Sequence, residues 1–134
     1  MSGTITLEIA TPDRVVLKDT TDSLIVPGLE GYLGIWSNHA PLVAALRIGI
    51  LKYKQAGGGF RPLAVSGGFL ELAGNRAVVL ADAAELPEEI NVERARKARE
   101  RAERRLQAQT ADTDLARAEL ALRRAANRLR VVGS

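Results

Sequence analysis

The chain has no cysteine, a single histidine and a single tryptophan in 134 residues. Without cysteine there is no disulfide, no thiolate zinc site and no thiol nucleophile. One histidine, His39, rules out a metal site built from several. Aromatic residues make up only 4% of the chain, so the core has to come from Val, Leu, Ile and Ala. No apolar run approaches the ~18 residues of a membrane-spanning helix. The N-terminus, MSGTITLEIATPD, lacks the basic-then-apolar layout of a secretion signal, and the expected setting is an intracellular aqueous phase. No Gly-Lys pair occurs, so there is no phosphate loop of the G-x-x-x-x-G-K type, and no serine sits in a G-x-S-x-G elbow. The glycines of GLEGYLG (28–34) make only a bare G-x-x-G-x-x-G with no helical pattern after it.

What is present is unevenly spread. All five prolines lie at or before Pro87, and eleven of twelve glycines lie at or before Gly74. Residues 1–87 carry seven basic and eight acidic side chains; residues 88–134 carry twelve basic, eleven of them arginine, and eight acidic. Dense punctuation suits short strands and turns, and its absence suits long helices. The boundary divides a β-sandwich domain, 1–86, from an α-helical hairpin domain, 87–134.

In the first part TITLEI alternates, with Ile5, Leu7 and Ile9 on one face. Thr11-Pro12-Asp13 is turn chemistry. ILKYK and FRPLAV flank QAGGG, and GFLEL and RAVVL flank AGN, each pair reading as a hairpin. Pro62 inside its run points to an edge strand. Strands at this spacing predict an antiparallel β-sandwich. In the second part, INVERARKARERAERRLQAQ is rich in helix formers, with Asn91 placed to cap it and Glu93 and Glu100 placed for i,i+4 pairs with Lys97 and Arg104. TADTD (110–114) breaks the pattern and supplies new caps. Leu115, Ala118, Leu122, Ala125, Leu129 and Val132 then form one apolar stripe, facing a thinner one of Val92, Ala95, Ala98, Ala102 and Leu106. A seam made mostly of alanine buries little area, at roughly 25 cal/mol per Å². Such a hairpin is marginal by itself and takes its state from its neighbours.

His39 would need a nucleophile and an orienting carboxylate to act as a base, and the sequence names no such pair; it reads as a turn histidine with backbone hydrogen bonds. The hairpin arginines read as a solvated charged face. A stand-alone module gripping nucleic acid with this basic hairpin is the alternative, weakened by eight interleaved acids and by the lack of any aromatic residue to stack on bases.

Three stretches carry a resemblance over essentially the whole chain: GLEGYLGIWSNHAPLVAALRIGIL (28–51), AVSGGFLELAGNRAVVLADAAE (64–85), and INVERARKARERAERRLQ followed by RAELALRRAANRLRV. They resemble the epsilon subunit of the bacterial or chloroplast-type F-type ATP synthase. The resemblance implies a sandwich of about ten strands, a two-helix hairpin and no active site of its own. It implies a place in the central rotor stalk, bound to the gamma subunit and seated on the c-subunit ring during proton-driven ATP synthesis. Glu30, Tyr32, Asn38 and His39 are the implied rotor-contact residues. The hairpin is implied to restrain ATP hydrolysis when it extends toward the alpha and beta catalytic subunits. The implied setting is the cytoplasmic face of the bacterial plasma membrane, or the thylakoid membrane for a chloroplast-type chain, held there through the complex.

Some members of that family bind ATP, with or without magnesium, as a regulatory ligand at the folded hairpin through an I-D-x-x-R-A motif. The matching residues here are Ile90, Asn91, Arg94 and Ala95, joined by Glu85, Arg101, Arg124 and Arg128. Asn91 stands where the motif has Asp, so the carboxylate acceptor is lost while the ability to cap a helix is kept.

Overall fold

A computed structural model describes residues 3–108 and 114–133 and divides the chain into two compact units, Met1–Leu86 and Pro87–Ser134. The caps expected from residues 110–113 lie outside the described residues.

The first unit is all strand: β1 (Ile5–Ala10), β2 (Val15–Thr21), β3 (Ser23–Gly28), β4 (Gly31–Trp36), β5 (Leu42–Leu46), β6 (Gly49–Lys54), β7 (Phe60–Ser66), β8 (Gly68–Ala73), β9 (Arg76–Leu80) and β10 (Ala83–Glu85). The order is β10-β7-β6-β3-β5-β8-β9-β1-β2, with β4 paired to β3 outside that path. All pairings are antiparallel except β1 with β9. No hairpin links β1 to β9, so sequence alternation carries no sign of their relative direction.

Alternation decides the core. Ile5, Leu7 and Ile9 are fully buried, as are Leu24, Val26, Ile35, Leu51, Leu63, Val65, Leu70 and Val79, and Tyr53 is the one aromatic among them. The aliphatic core expected from composition is the one that forms.

The hairpins follow their turn chemistry. Gly74 and Asn75 link β8 to β9 with φ of 55° and 58°, as a two-residue primed turn requires. At the start of β8, Gly68 has φ 103°, and a Cβ there would collide with the Leu80 carbonyl. Pro62 pairs with Lys52 of β6, while β10 reaches only Ala64–Ser66 of β7. Its missing N–H therefore falls where β7 has no second neighbour, although the strand as a whole is internal.

The second unit begins with one 3-10 turn, Pro87–Glu89, followed by α1 (Val92–Ala108) and α2 (Leu115–Val132), which pack on each other as a hairpin. Asn91 caps α1, its Oδ1 accepting from Arg94 N–H at 3.0 Å, and Asp114 caps α2 by accepting from Arg117 N–H at 3.0 Å. The buried residues are Ala95 and Ala102 on α1 and Ala118, Ala125, Asn127 and Val131 on α2. Leu115 and Val132, placed on the stripe by periodicity, are exposed; toward the end of α2 the buried face runs through Asn127 and Val131, one position off the predicted stripe. Glu93 pairs with Arg96 at 3.2 Å, one residue closer than the expected Lys97.

Candidate functional site

His39 lies in a tight turn after β4. Its N–H donates to the Trp36 carbonyl at 3.3 Å, and Asn38, with φ 64°, takes the left-handed position such a turn needs. The ring Nδ1 lies 2.7 Å from the Ala40 carbonyl, which can only accept, so the proton sits on Nδ1. The side chain is exposed, its ring bonded to the Ala40 carbonyl and its backbone N–H to the Trp36 carbonyl. That is the turn histidine expected.

The four rotor-contact candidates do not share one surface. Gly28 opposes Gly31 at one end of the β3–β4 hairpin, and Ser23 opposes Trp36 at the other. Glu30 sits in the turn at the first end and Tyr32 just inside it; Asn38 and His39 follow the second. Six residues of strand stand between them, roughly 20 Å at about 3.3 Å per residue. Sequence proximity concealed this, because an extended strand carries neighbours in sequence to opposite ends of a sheet.

At the first end, Leu29, Glu30, Tyr32, Leu33 and Val43 help to line an open groove of about 510 Å³. Arg47 holds its guanidinium 5.3 Å from the centre of the Tyr32 ring, and the Tyr32 hydroxyl accepts from Ile50 N–H at 3.3 Å. The phenol is thus fixed from two sides with its face partly open.

Sequence reading missed an outward row across three strands. Ala45 opposes Phe69, and Phe69 opposes Leu80. Phe69 is 58% exposed and Leu80 59%, and Val43, two residues along β5 from Ala45, is 72% exposed. The signal was available in Phe69-Leu70 of GFLEL and Val79-Leu80 of RAVVL, where adjacent positions on opposite faces are both apolar. Only the pairing of strands shows that the outer ones are contiguous. Such a patch is what a partner surface looks like before it is covered.

Of the nucleotide-site candidates, Ile90, Asn91, Arg94, Ala95, Arg101, Arg124 and Arg128 stand in the helical unit, and Glu85 closes β10 in the first unit. Ile90 and Ala95 are buried; Arg94, Arg101 and Arg124 are exposed and Arg128 is half-buried. Arg94 and Arg101 each precede a buried alanine two turns apart, so they flank the seam at equivalent positions of α1. Arg124 and Arg128 share one flank of α2. α2 packs along α1 and also meets the Pro87–Glu89 turn that precedes it, which sets the end of α2 level with the start of α1. Because Asn91 Oδ1 already accepts from Arg94 N–H, what it offers a ligand is one remaining lone pair and an amide donor that aspartate lacks. Among the described residues no three His, Cys, Asp or Glu side chains cluster to hold a metal ion, and no helix is long and apolar enough to cross a membrane.

Two family models account for nearly all of the chain. The ATP synthase delta/epsilon chain β-sandwich domain matches residues 4–87, and the delta/epsilon long α-helix domain matches residues 88–133. The chain is 53% identical over 131 residues to the ATP synthase epsilon chain of Symbiobacterium thermophilum, covering 97% of this chain and 94% of that one. It is 50% identical over 132 residues to that of Moorella thermoacetica, covering 98% of each. The chain belongs to the epsilon family of F-type ATP synthase subunits. As an epsilon chain it is a non-catalytic subunit of that enzyme. Among solved structures it is similar to a chain in the Euglena gracilis mitochondrial ATP synthase (OSCP/F1/c-ring), with TM-score 0.76 and 26% identity, covering 89% of this chain and 75% of that one. A chain of the Tetrahymena thermophila mitochondrial ATP synthase central stalk and c-ring shares the fold, with TM-score 0.51 and 14% identity. The epsilon fold thus persists where most of the sequence has changed.

Proposed function

We propose that this epsilon chain is a central-stalk rotor subunit whose sandwich joins gamma to the c ring and whose hairpin restrains ATP hydrolysis, with ATP as a ligand that favours the folded hairpin. The two units serve as separate domains, one mechanical and one regulatory. The chain then works on the cytoplasmic face of a bacterial plasma membrane, held there by its partners.

The observation that carries the regulatory half is the alanine seam. Four of the six buried helical residues are alanines. At about 0.8 kcal/mol per buried methyl-sized group they contribute on the order of 3 kcal/mol. A ligand at 100 times its Kd adds about 2.7 kcal/mol to the state it binds. The two quantities are of similar size, so a nucleotide or a neighbouring subunit suffices to set the hairpin's posture. The proposed nucleotide site is confined to the hairpin, with Arg94, Arg101, Arg124 and Arg128 toward phosphate and Ile90, Asn91 and Ala95 toward the base. Arginine is suited to phosphate because its fork donates two parallel hydrogen bonds.

For the mechanical half, the separation of the rotor-contact residues points to two contacts. Glu30 and Tyr32, at the grooved end, face the polar loops of the c ring. Asn38 and His39, at the opposite end, meet gamma, as does the exposed Phe69–Leu80 pair.

The test is calorimetric titration of ATP into the full chain. Binding without phosphate release is expected, weakened about tenfold or more by Arg94→Ala, as befits loss of a charge-assisted hydrogen bond. Asn91→Asp is expected to change affinity with little effect on helix content, since aspartate caps equally well. ATP binding indifferent to Arg94 and Arg128 would remove the hairpin site, and steady phosphate release lost with His39→Ala would restore the catalytic reading. Phe69→Glu is expected to weaken association with gamma.

A further inference from the structure

The turn carrying His39 is held by a residue far away in sequence. Asn38 N–H donates to Asn75 Oδ1 at 2.6 Å, and Asn75 Nδ2 donates to Asn38 Oδ1 at 3.2 Å. The two asparagines, 37 positions apart, thus form a reciprocal amide pair. Both are left-handed, with φ of 64° and 58°, and they are the only non-glycine residues with positive φ among those described. Glycine occupies that region more cheaply than asparagine, so a position that only reversed the chain would favour glycine. Asparagine at both places uses its side chain. The Asn75 carbonyl in turn accepts from Thr6 N–H at 2.9 Å. One residue in the β8–β9 turn therefore ties the entry of β1 to the turn after β4.

We infer that Asn75 is a positioning residue for the Asn38–His39 turn, holding it in the form that meets another rotor subunit. The contact role of that turn rests on the function proposed above; the amide pair does not. The sequence AGN marked Asn75 as hairpin chemistry alone. The structure gives it a second task, since its backbone makes the hairpin turn while its side chain fastens a different loop. With the Asn38 N–H engaged and its φ fixed, the Trp36–His39 turn closes, and the His39 ring is set by its bond to the Ala40 carbonyl. A loop already ordered in its bound form loses less freedom on association.

The test separates clasp from contact. Asn75→Gly keeps the left-handed backbone and removes the amide; Asn75→Asp keeps the acceptor for Asn38 N–H and removes the donor. In the full chain, amide exchange at Asn38 is expected to speed up about tenfold in Asn75→Gly, the loss of roughly one hydrogen bond, and by less in Asn75→Asp. Asn75→Gly is also expected to weaken reassembly with enzyme depleted of this chain, in the same direction as His39→Ala, with the far-ultraviolet circular dichroism unchanged as the control for folding. Unaltered Asn38 exchange in Asn75→Gly overturns the clasp. Faster exchange with undiminished reassembly, while His39→Ala still weakens it, overturns the positioning role and leaves the contact standing. Faster exchange with neither variant weakening reassembly refutes the contact at this end of the sandwich, and the positioning role with it.

Discussion

Replacing Thr21 by valine removes a single hydroxyl without changing shape, and the structure indicates a large cost. Thr21 is 3% exposed. Its Oγ1 accepts from Ser23 N–H at 3.2 Å and from Lys54 N–H at 3.1 Å, and its own proton reaches the Ser23 or the Lys54 carbonyl, each at 2.8 Å. One proton serves one carbonyl at a time, so three hydrogen bonds exist at once. They fasten the β2–β3 corner to the end of β6, 33 residues away. At about 1 kcal/mol net each, and with two backbone donors left in a partly buried place, Thr21→Val is expected to cost about 3 kcal/mol. Thr21→Ser keeps the hydroxyl and loses one methyl, expected to cost about 0.8 kcal/mol. That order is the reverse of the one hydrophobicity would give. Urea unfolding followed by Trp36 fluorescence reads the effect, because Trp36 lies opposite Ser23 on β4. With a slope of about 2 kcal/mol per molar urea, the midpoint should fall by roughly 1.5 M for valine and by about 0.4 M for serine. A valine variant within about 1 kcal/mol of the parent, or a serine variant less stable than valine, would refute the network as a source of stability.

Three further substitutions follow from single features. Tyr53→Phe should be neutral or stabilise by up to about 1 kcal/mol, since the Tyr53 hydroxyl is buried with no hydrogen-bond partner among the described residues; a loss above about 1 kcal/mol in the same unfolding assay would show that it has one. Gly68→Ala should cost about 2 kcal/mol or more, because φ 103° disfavours any side chain and the new methyl meets the Leu80 carbonyl; thermal melts measure it, and a stable alanine variant contradicts the geometry. Asp114→Ala removes the α2 cap and should cost about 1 kcal/mol, a sizeable share of what the alanine seam supplies, so amide exchange along α2 should accelerate about fivefold while the β-strands stay protected.

Much of this was legible in the residues because the relevant forces are local. Alternation in TITLEI, the hairpin glycines and the asparagine before a run of helix formers each act over a few positions, and strands, turns and cap formed where they indicated. The family was legible for a different reason: its marker stretches are contiguous in sequence. Asp114 was foreseen as part of a cap-rich break, and Asn91 as a cap, because capping is decided by the first helical turn alone. By contrast, spacing places Val132 on the stripe, yet Val131 is the buried residue there, because a seam that passes through Asn127 and Val131 is set by the packing of α2 on α1 and not by periodicity alone.

The sequence by itself determined the division into a strand-rich and a helical unit, the aliphatic composition of the core and the alanine character of the seam. These follow from residue type and spacing, which the chain carries with it. Only the tertiary structure decided that β1 runs parallel to β9 and that Glu30 and His39 sit at opposite ends of one strand. It also decided that Phe69 and Leu80 share an exposed row, and that Asn75 grips Asn38. Each of these depends on which strands become neighbours, and that choice is made by burial of the whole core and not by any local run of residues.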